Sequence, residues 1–573
     1  MKLLENVKKN LRDMKENTRR FPLTLILSLL LGLGLVAVVE YGYRGEYSES
    51  IYQALDRMNM TLFLASLISL ATGLFLELLE EKKSLGYILY LVELAALYIY
   101  YKYILVDLNF ITRSRYIGFV VLAILAIFFI GRINNKKNHD LYVSGIIRAG
   151  FVAFINFIVL FLGLAFIIFT LNSLFGLKIR SNLYFDIFII LLTTFFSLMF
   201  TAKLPSYKED YEGETISQVL ERLLAYIVIP LIFIYTSILY VFFLKIIVTR
   251  TWPQGLVAHL VLWYSIIGMA SLFFTRSIAS RHKIVGYFRR LHPLVNIPTI
   301  VLLFMAIYMR VSQHGFTSNR YFVLAGGIWI LIMDIYYILV KEEKNILVVM
   351  TLFLTVLVAL VGPVNNFIVS ERSQARRLKE LLVDNQLYKD QALVKAENID
   401  FKTKVEISNK LDYLNKFYGL EGLDFLPKDF SLDRLEDFLG FKFNPNYYYT
   451  DEAPDYYSYY RDIDEDILEL RDYNYLLNHS FWEERSLKID SLSLEFKKDY
   501  SLDIRLGDRL ETLDFKEVFS DYNLVKMKES KDEIIYEYEL EDRRLKFIVK
   551  SMHGEVDGDS FKLNNLDIDL LIK

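Results

Sequence analysis

The sequence predicts an all-α polytopic membrane bundle of about eleven transmembrane helices, followed by a soluble α+β C-terminal domain. Three observations predict it. Apolar residues make up 54% of the 573-residue chain and collect in long runs. Charge is split, with about +12 on residues 1–370 and about −15 on residues 371–573, so the near-neutral total of −3 hides two different polymers. Beyond residue 370 the runs give way to helical and then alternating patterns.

The apolar runs are 21–40, 59–79, 86–106, 116–133, 146–172, 182–201, 223–248, 255–275, 294–312, 321–340 and 345–369. Each holds roughly the 17–25 residues that cross a hydrocarbon core at about 1.5 Å per residue. Helix is the state that pairs every backbone amide at that depth, and the period-two alternation of a membrane barrel does not occur in these runs.

The first run follows a basic stretch and lacks a small-residue cleavage site, so it reads as a signal anchor. Residues 1–20 set Leu3, Leu4, Val7, Leu11 and Met14 on one face and Lys8, Lys9, Arg12 and Lys15 elsewhere. That is the pattern of a basic amphipathic helix on the cytoplasmic lipid surface, with a solvated tail as the plainer alternative.

Loop charge sets the expected orientation. Arg19 and Arg20, Lys82 and Lys83, Arg132, Lys136 and Lys137, Lys203 and Lys208, and Arg281, Arg289 and Arg290 fall on one side. The positive-inside rule makes that side cytoplasmic, so the N-terminus is inside and an odd count of spans puts residues 371–573 outside the plasma membrane. The cluster Arg372, Arg376, Arg377 and Lys379 after the last run points the other way and leaves an even count open.

In the acidic tail, Ser373–Gln386 and Asp400–Phe417 repeat apolar residues at three and four, as helices do, with Gly419 and Gly422 as stops. Phe443–Arg461, crowded with Tyr, Asp and Pro, reads as an irregular loop. From Leu487 onward, LKIDSLSLEF, IIYEYEL and RRLKFIVK alternate as antiparallel strands, with turns expected at His553-Gly554 and Asp557-Gly558.

Composition narrows the chemistry. The chain has no cysteine, which excludes disulfides, thiolate metal sites and cysteine nucleophiles. Its charge distribution excludes a nucleic-acid partner, because the acidic half repels phosphate. Asp462, Asp464 and Asp466 imitate a calcium loop, but Ile467 stands where glycine is required and Tyr473 where the closing glutamate belongs. No phosphate-binding glycine loop, zinc-protease spacing or cofactor motif is found in the sequence.

Charges inside lipid are the remaining suspects, since one at mid-bilayer costs about 2.5–3.5 kcal/mol even on lenient scales. Glu93 and Asp334 sit near the middle of their runs and form a candidate polar site for a proton or cation in a transport cycle, with Arg148 as a candidate partner. Ordinary packing between helices is the alternative, as it is for Asn156, His259, Asn296, Asn365 and Asn366. Arg310, Thr317 and Arg320 flank a loop between spans, where they suit an anionic lipid head group or a structural loop clamp. Glu46 and Glu49 occupy the loop where a membrane glycosyltransferase needs an acid. The expected partners are the lipid bilayer and a small solute or envelope protein. The function classes that follow are a permease-like carrier, an envelope assembly or sensory protein and, less favoured, a glycosyltransferase.

Four groups of residues add a resemblance. They are Trp252-Pro253 with Gly255; Arg310, Gly315, Thr317, Arg320 and Tyr321; Gly362-Pro363 with Ser370, Ser373-Gln374 and Arg377-Leu378; and Ile407-Ser408 with Leu411, Tyr413 and Leu414. Together they resemble a family of uncharacterised bacterial multi-pass membrane proteins, the domain of unknown function family 4153. The resemblance implies architecture and membrane location, and no reaction.

Overall fold

The computed structural model describes residues 20–573 apart from 44–48, 80–82, 135–136, 178, 210, 212, 250–256, 396–398, 446–454, 461–472, 521–533, 541–542 and 558–559. The amphipathic N-terminal segment, Glu46, Trp252-Pro253 with Gly255, the Asp462–Asp466 series and Gly558 therefore lie outside the described residues. The chain forms two compact units, Met1–Pro445 and Asn446–Lys573.

Every apolar run carries a helix. They are α1 (Pro22–Tyr43), α2 (Glu49–Glu77), α3 (Lys83–Ile99, continued by the π turn Tyr100–Ile104), α4 (Phe110–Ile130), α5 (His139–Phe175) and α6 (Asn182–Lys203). Then come α7 (Gln218–Thr249), α8 (Val257–Phe274), α9 (Lys283–His314), α10 (Ser318–Leu339) and α11 (Ile346–Leu360). Among the described residues, eight helices are long and apolar enough to cross a membrane. The expected count of about eleven is not confirmed, because α3, α8 and α11 are too short as described to be counted with the eight.

Phe151, Val159 and Phe166 on α5 and Leu244 and Ile247 on α7 point outward and exposed. Each would cost roughly 1.5–3 kcal/mol more in water than when buried, so hydrocarbon is the solvent these faces fit. The inward faces close on a core in which Leu272, Phe288, Ile300, Leu303 and Ile330 are fully buried. Pro293 and Pro298 lie within α9, which continues through both.

Many basic loop residues are already satisfied. Arg20 grips Glu77 and the carbonyls of Leu204 and Pro205, tying α1 to α2 and to the exit of α6. Arg132 donates to the Glu209 carbonyl at 2.7 Å and lies over the Tyr211 ring, while Arg289 pairs with Glu343.

After the last apolar run, Asn365 caps α12 (Asn366–Asp384) by accepting from the amides of Phe367 and Ile368, both at 3.0 Å. The hairpin β1 (Tyr388–Lys389) and β2 (Ala392–Leu393) leads to α13 (Phe401–Phe417), which Gly419 ends at φ +82°. Leu378, Leu382, Ile407, Leu411 and Leu414 from these helices meet Leu435 and Leu439 of α14 (Leu435–Leu439) in a small core. This helical part of the tail belongs to the first compact unit.

The second unit is built of strands. A meander, β5 (Arg485–Ile489), β6 (Leu492–Phe496), β7 (Ser501–Leu506) and β8 (Arg509–Asp514), forms one antiparallel sheet. The other orders β3 (Asp455–Tyr460), β10 (Arg543–Asp557), β11 (Ser560–Ile572) and β4 (Tyr475–Ser480), with β9 (Ile535–Leu540) also on β10. Leu492, Leu494 and Phe496 alternate inward on β6 and share a core with Phe547, Val549 and Ile568 of the second sheet. Phe515, on the short α15 (Phe515–Ser520), joins the sheets through its ring against Phe547 at 5.2 Å.

Two local expectations are corrected. His553-Gly554 is no turn: the register shifts there within β10, so the extra backbone is absorbed as a bulge. The stretch Phe443–Arg461 is not wholly irregular, since Asp455–Tyr460 pairs with β10 as β3.

Candidate functional site: a basic pocket between α8, α9 and α10

The connection from α9 to α10 is three residues long and held from outside itself. Gly315 follows α9 at φ +76° with ψ 176°, a backbone state that only glycine adopts freely. An added Cβ would also stand 3.0 Å from Gln374 Nε2 and from Ser373 Oγ. Those two α12 side chains fasten the loop. Ser373 Oγ accepts from the Phe316 amide at 2.8 Å, and Gln374 Nε2 donates to the carbonyls of His314 at 2.9 Å and Phe316 at 2.6 Å. Arg377 adds a bond to the Gln313 carbonyl at 3.1 Å.

Behind Gln374 stands Lys410 of α13, which donates to its Oε1 at 3.3 Å. Burial pulls the Lys410 ammonium below the usual lysine range; Glu406 opposes that effect, while Arg377 and Arg320 reinforce it. Residues that carry the family resemblance on three separate stretches thus meet at one end of the helices.

On this held loop Arg310, Thr317 and Arg320 come together, as their placement around one turn predicts. They line a pocket of about 170 Å³ with His259, Asn319 and Ile307. Arg320 donates from Nη1 to the Gly315 carbonyl at 2.6 Å, which orients the guanidinium. Among the described residues, neither arginine forms an ion pair with a carboxylate, and no acid lines the pocket. Two guanidinium groups, an imidazole, a hydroxyl and an amide around a space of this size form a donor set for an oxyanion.

The intramembrane carboxylates lie elsewhere and apart. Asp334 on α10 is 0% exposed, and its Oδ2 accepts from Asn296 Nδ2 at 2.8 Å. Asn296 Oδ1 in turn accepts from Ser265 Oγ at 2.8 Å and Thr299 Oγ1 at 2.9 Å, which makes a polar knot across α8, α9 and α10. Glu93 on α3 is 7% exposed and borders a separate cavity that Asp334 does not line. Arg148 is exposed on α5 and pairs with neither acid among the described residues. Glu49 sits in the first turn of α2.

His259 and Asn319 join the arginines through the fold. His259 stands some fifty residues before Arg310 in the chain, at the start of another helix, and no local spacing signals such a meeting.

A family described as "Domain of unknown function (DUF4153)" matches residues 25–393. The chain belongs to this family. The matched range covers α2 to α12 whole, and with them the basic pocket and both carboxylates, and it ends before α13 and the strand unit. An uncharacterized protein of Pasteurella multocida (strain Pm70) is 24% identical over 231 residues, which is 40% of this chain and 38% of that protein. The chain therefore aligns with well under half the length of that relative. No solved structure matches.

Proposed function

We infer that this family member is a plasma-membrane protein of the bacterial envelope that binds a phosphate-bearing ligand, the head group of an anionic lipid, at the Arg310–Arg320 pocket. One observation carries the reading: two arginines with no acidic partner among the described residues line a single small pocket with His259, Thr317 and Asn319. Arg20, Arg132 and Arg289 of other segments are paired or stacked, whereas this pair meets no carboxylate among the described residues. Arginine at a membrane interface suits lipid phosphate, because the planar fork donates to two oxygens at once. On this reading the N-terminus is cytoplasmic and the strand unit lies outside, where it acts in envelope assembly or interaction.

The double variant Arg310→Ala, Arg320→Ala is expected to lose the anionic lipid that co-purifies with the wild type. Washing the wild type with inorganic phosphate separates the two sources of phosphate: a lipid head group stays bound, and a free-phosphate site exchanges. Unchanged lipid in the double variant ends the idea.

A permease-like carrier is the second reading, favoured by a buried carboxylate beside a large cavity at Glu93. The separate, hydrogen-bonded seat of Asp334 gives it no shared polar path.

A further inference from the structure

We propose that the cavity bordered by Glu93 binds an organic cation: an ammonium group carrying a hydrocarbon body. The site is independent of the basic pocket. It measures about 590 Å³, lies among α2, α3 and α4 with Phe353 of α11, and is walled almost wholly by carbon. Glu93 stands on its border with neither carboxylate oxygen hydrogen-bonded. Tyr100, seven residues along the same helix, lines the cavity as well, with its hydroxyl also unpartnered.

Asp334 supplies the contrast. A carboxylate kept for packing is met by an amide on at least one oxygen, as Asn296 meets Asp334 Oδ2 while Oδ1 stays unmet, because an unmet buried charge is strongly unfavourable. Glu93 borders the cavity with Thr72 beside it, and no amide or cation of the described residues meets it. Water fits that space poorly, since a buried water needs two to four polar contacts and these walls offer few. A bare metal ion fits no better, because it requires several oxygen ligands and one carboxylate supplies two at most.

The walls identify the occupant. Tyr100 meets Phe119 edge to face at 5.8 Å, and Phe75 and Phe353 complete an aromatic lining. Aromatic faces with one carboxylate are the recognition chemistry of alkylammonium groups. The remaining volume takes the chain, which a ligand arriving through the bilayer already carries. A π turn begins at Tyr100, and such turns in helices are frequent at binding sites.

The test uses the full chain in discs of neutral phosphatidylcholine, with radiolabelled decyltrimethylammonium as probe and decanol as uncharged competitor. The wild type is expected to bind the probe saturably, with decanol a weak competitor. Glu93→Gln keeps the shape and removes the charge, and is expected to weaken binding about tenfold or more. Ala96→Trp fills the cavity from α3 and is expected to abolish binding with Glu93 intact. The proposal is overturned if the wild type shows no saturable binding, if decanol displaces the probe as well as unlabelled cation does, or if Glu93→Gln binds normally. Should Glu93→Gln fail to fold, Ala96→Trp decides alone, and retained binding there rejects the cavity.

Discussion

Asn296 donates its amide hydrogen to Asp334 at 2.8 Å, a polar tie between α9 and α10 inside their apolar contact. Ser265 and Thr299 hold the other end of the same amide, so its orientation is determined on both sides. Asn296→Leu strands the buried acid and is expected to lower stability by about 1–3 kcal/mol. Asp334→Asn keeps a polar partner and should cost much less. Thermal unfolding in detergent measures both, and equal losses would refute a packing role for the pair.

The orientation inferred from loop charge is open to direct labelling. The natural chain has no cysteine, so Asp455→Cys introduces a unique thiol at the start of β3. A membrane-impermeant maleimide should modify it in intact cells. Modification only after permeabilisation would place the strand unit inside and make the number of crossings even.

In the strand unit, the His479 ring lies tilted 4.0 Å from Phe496 and edge to face 4.9 Å from Phe481, with no hydrogen-bond partner for Nε2. Burial pulls its pKa from 6.5 down to about 4; Arg485 adds to the effect and Asp567 opposes it. The folded chain therefore holds the ring neutral where the unfolded chain protonates it. Stability from this residue is complete above pH 6.5 and declines as the pH falls toward about 4. The protection of the β4 and β6 amides, taken relative to the intrinsic exchange rate at each pH, should fall across that window in the wild type. His479→Phe should flatten the response, and an unaltered slope would assign it to other groups.

These features were unequally legible in the sequence. The helices were readable because a long apolar run has one way to pair its amides in lipid, and each of the eleven runs carries one. Gly419 ended α13 as expected because a left-handed residue closes a helix cheaply only as glycine. The strand β3 was hidden because its partner on β10 lies almost a hundred residues later, and its own tyrosines and aspartates look like a loop. The loop arginines were found as a local pair, whereas His259 entered through tertiary packing alone. Glu93 and Asp334 looked alike as lone acids in apolar runs. Only their surroundings tell them apart: an amide meets one oxygen of Asp334, and Glu93 borders a cavity.

Gln374 has both ends of its amide engaged, one on the peptide groups of residues 314 and 316 and the other on Lys410. The turn that presents Arg310 and Arg320 is thereby geared to α12 and α13. Twisting either helix strips hydrogen bonds from the turn, and whatever fills the space between the arginines resists that twist by the same amount. A ligand held between the arginines, as proposed above, would therefore be coupled through Gln374 to the pose of α12 and α13.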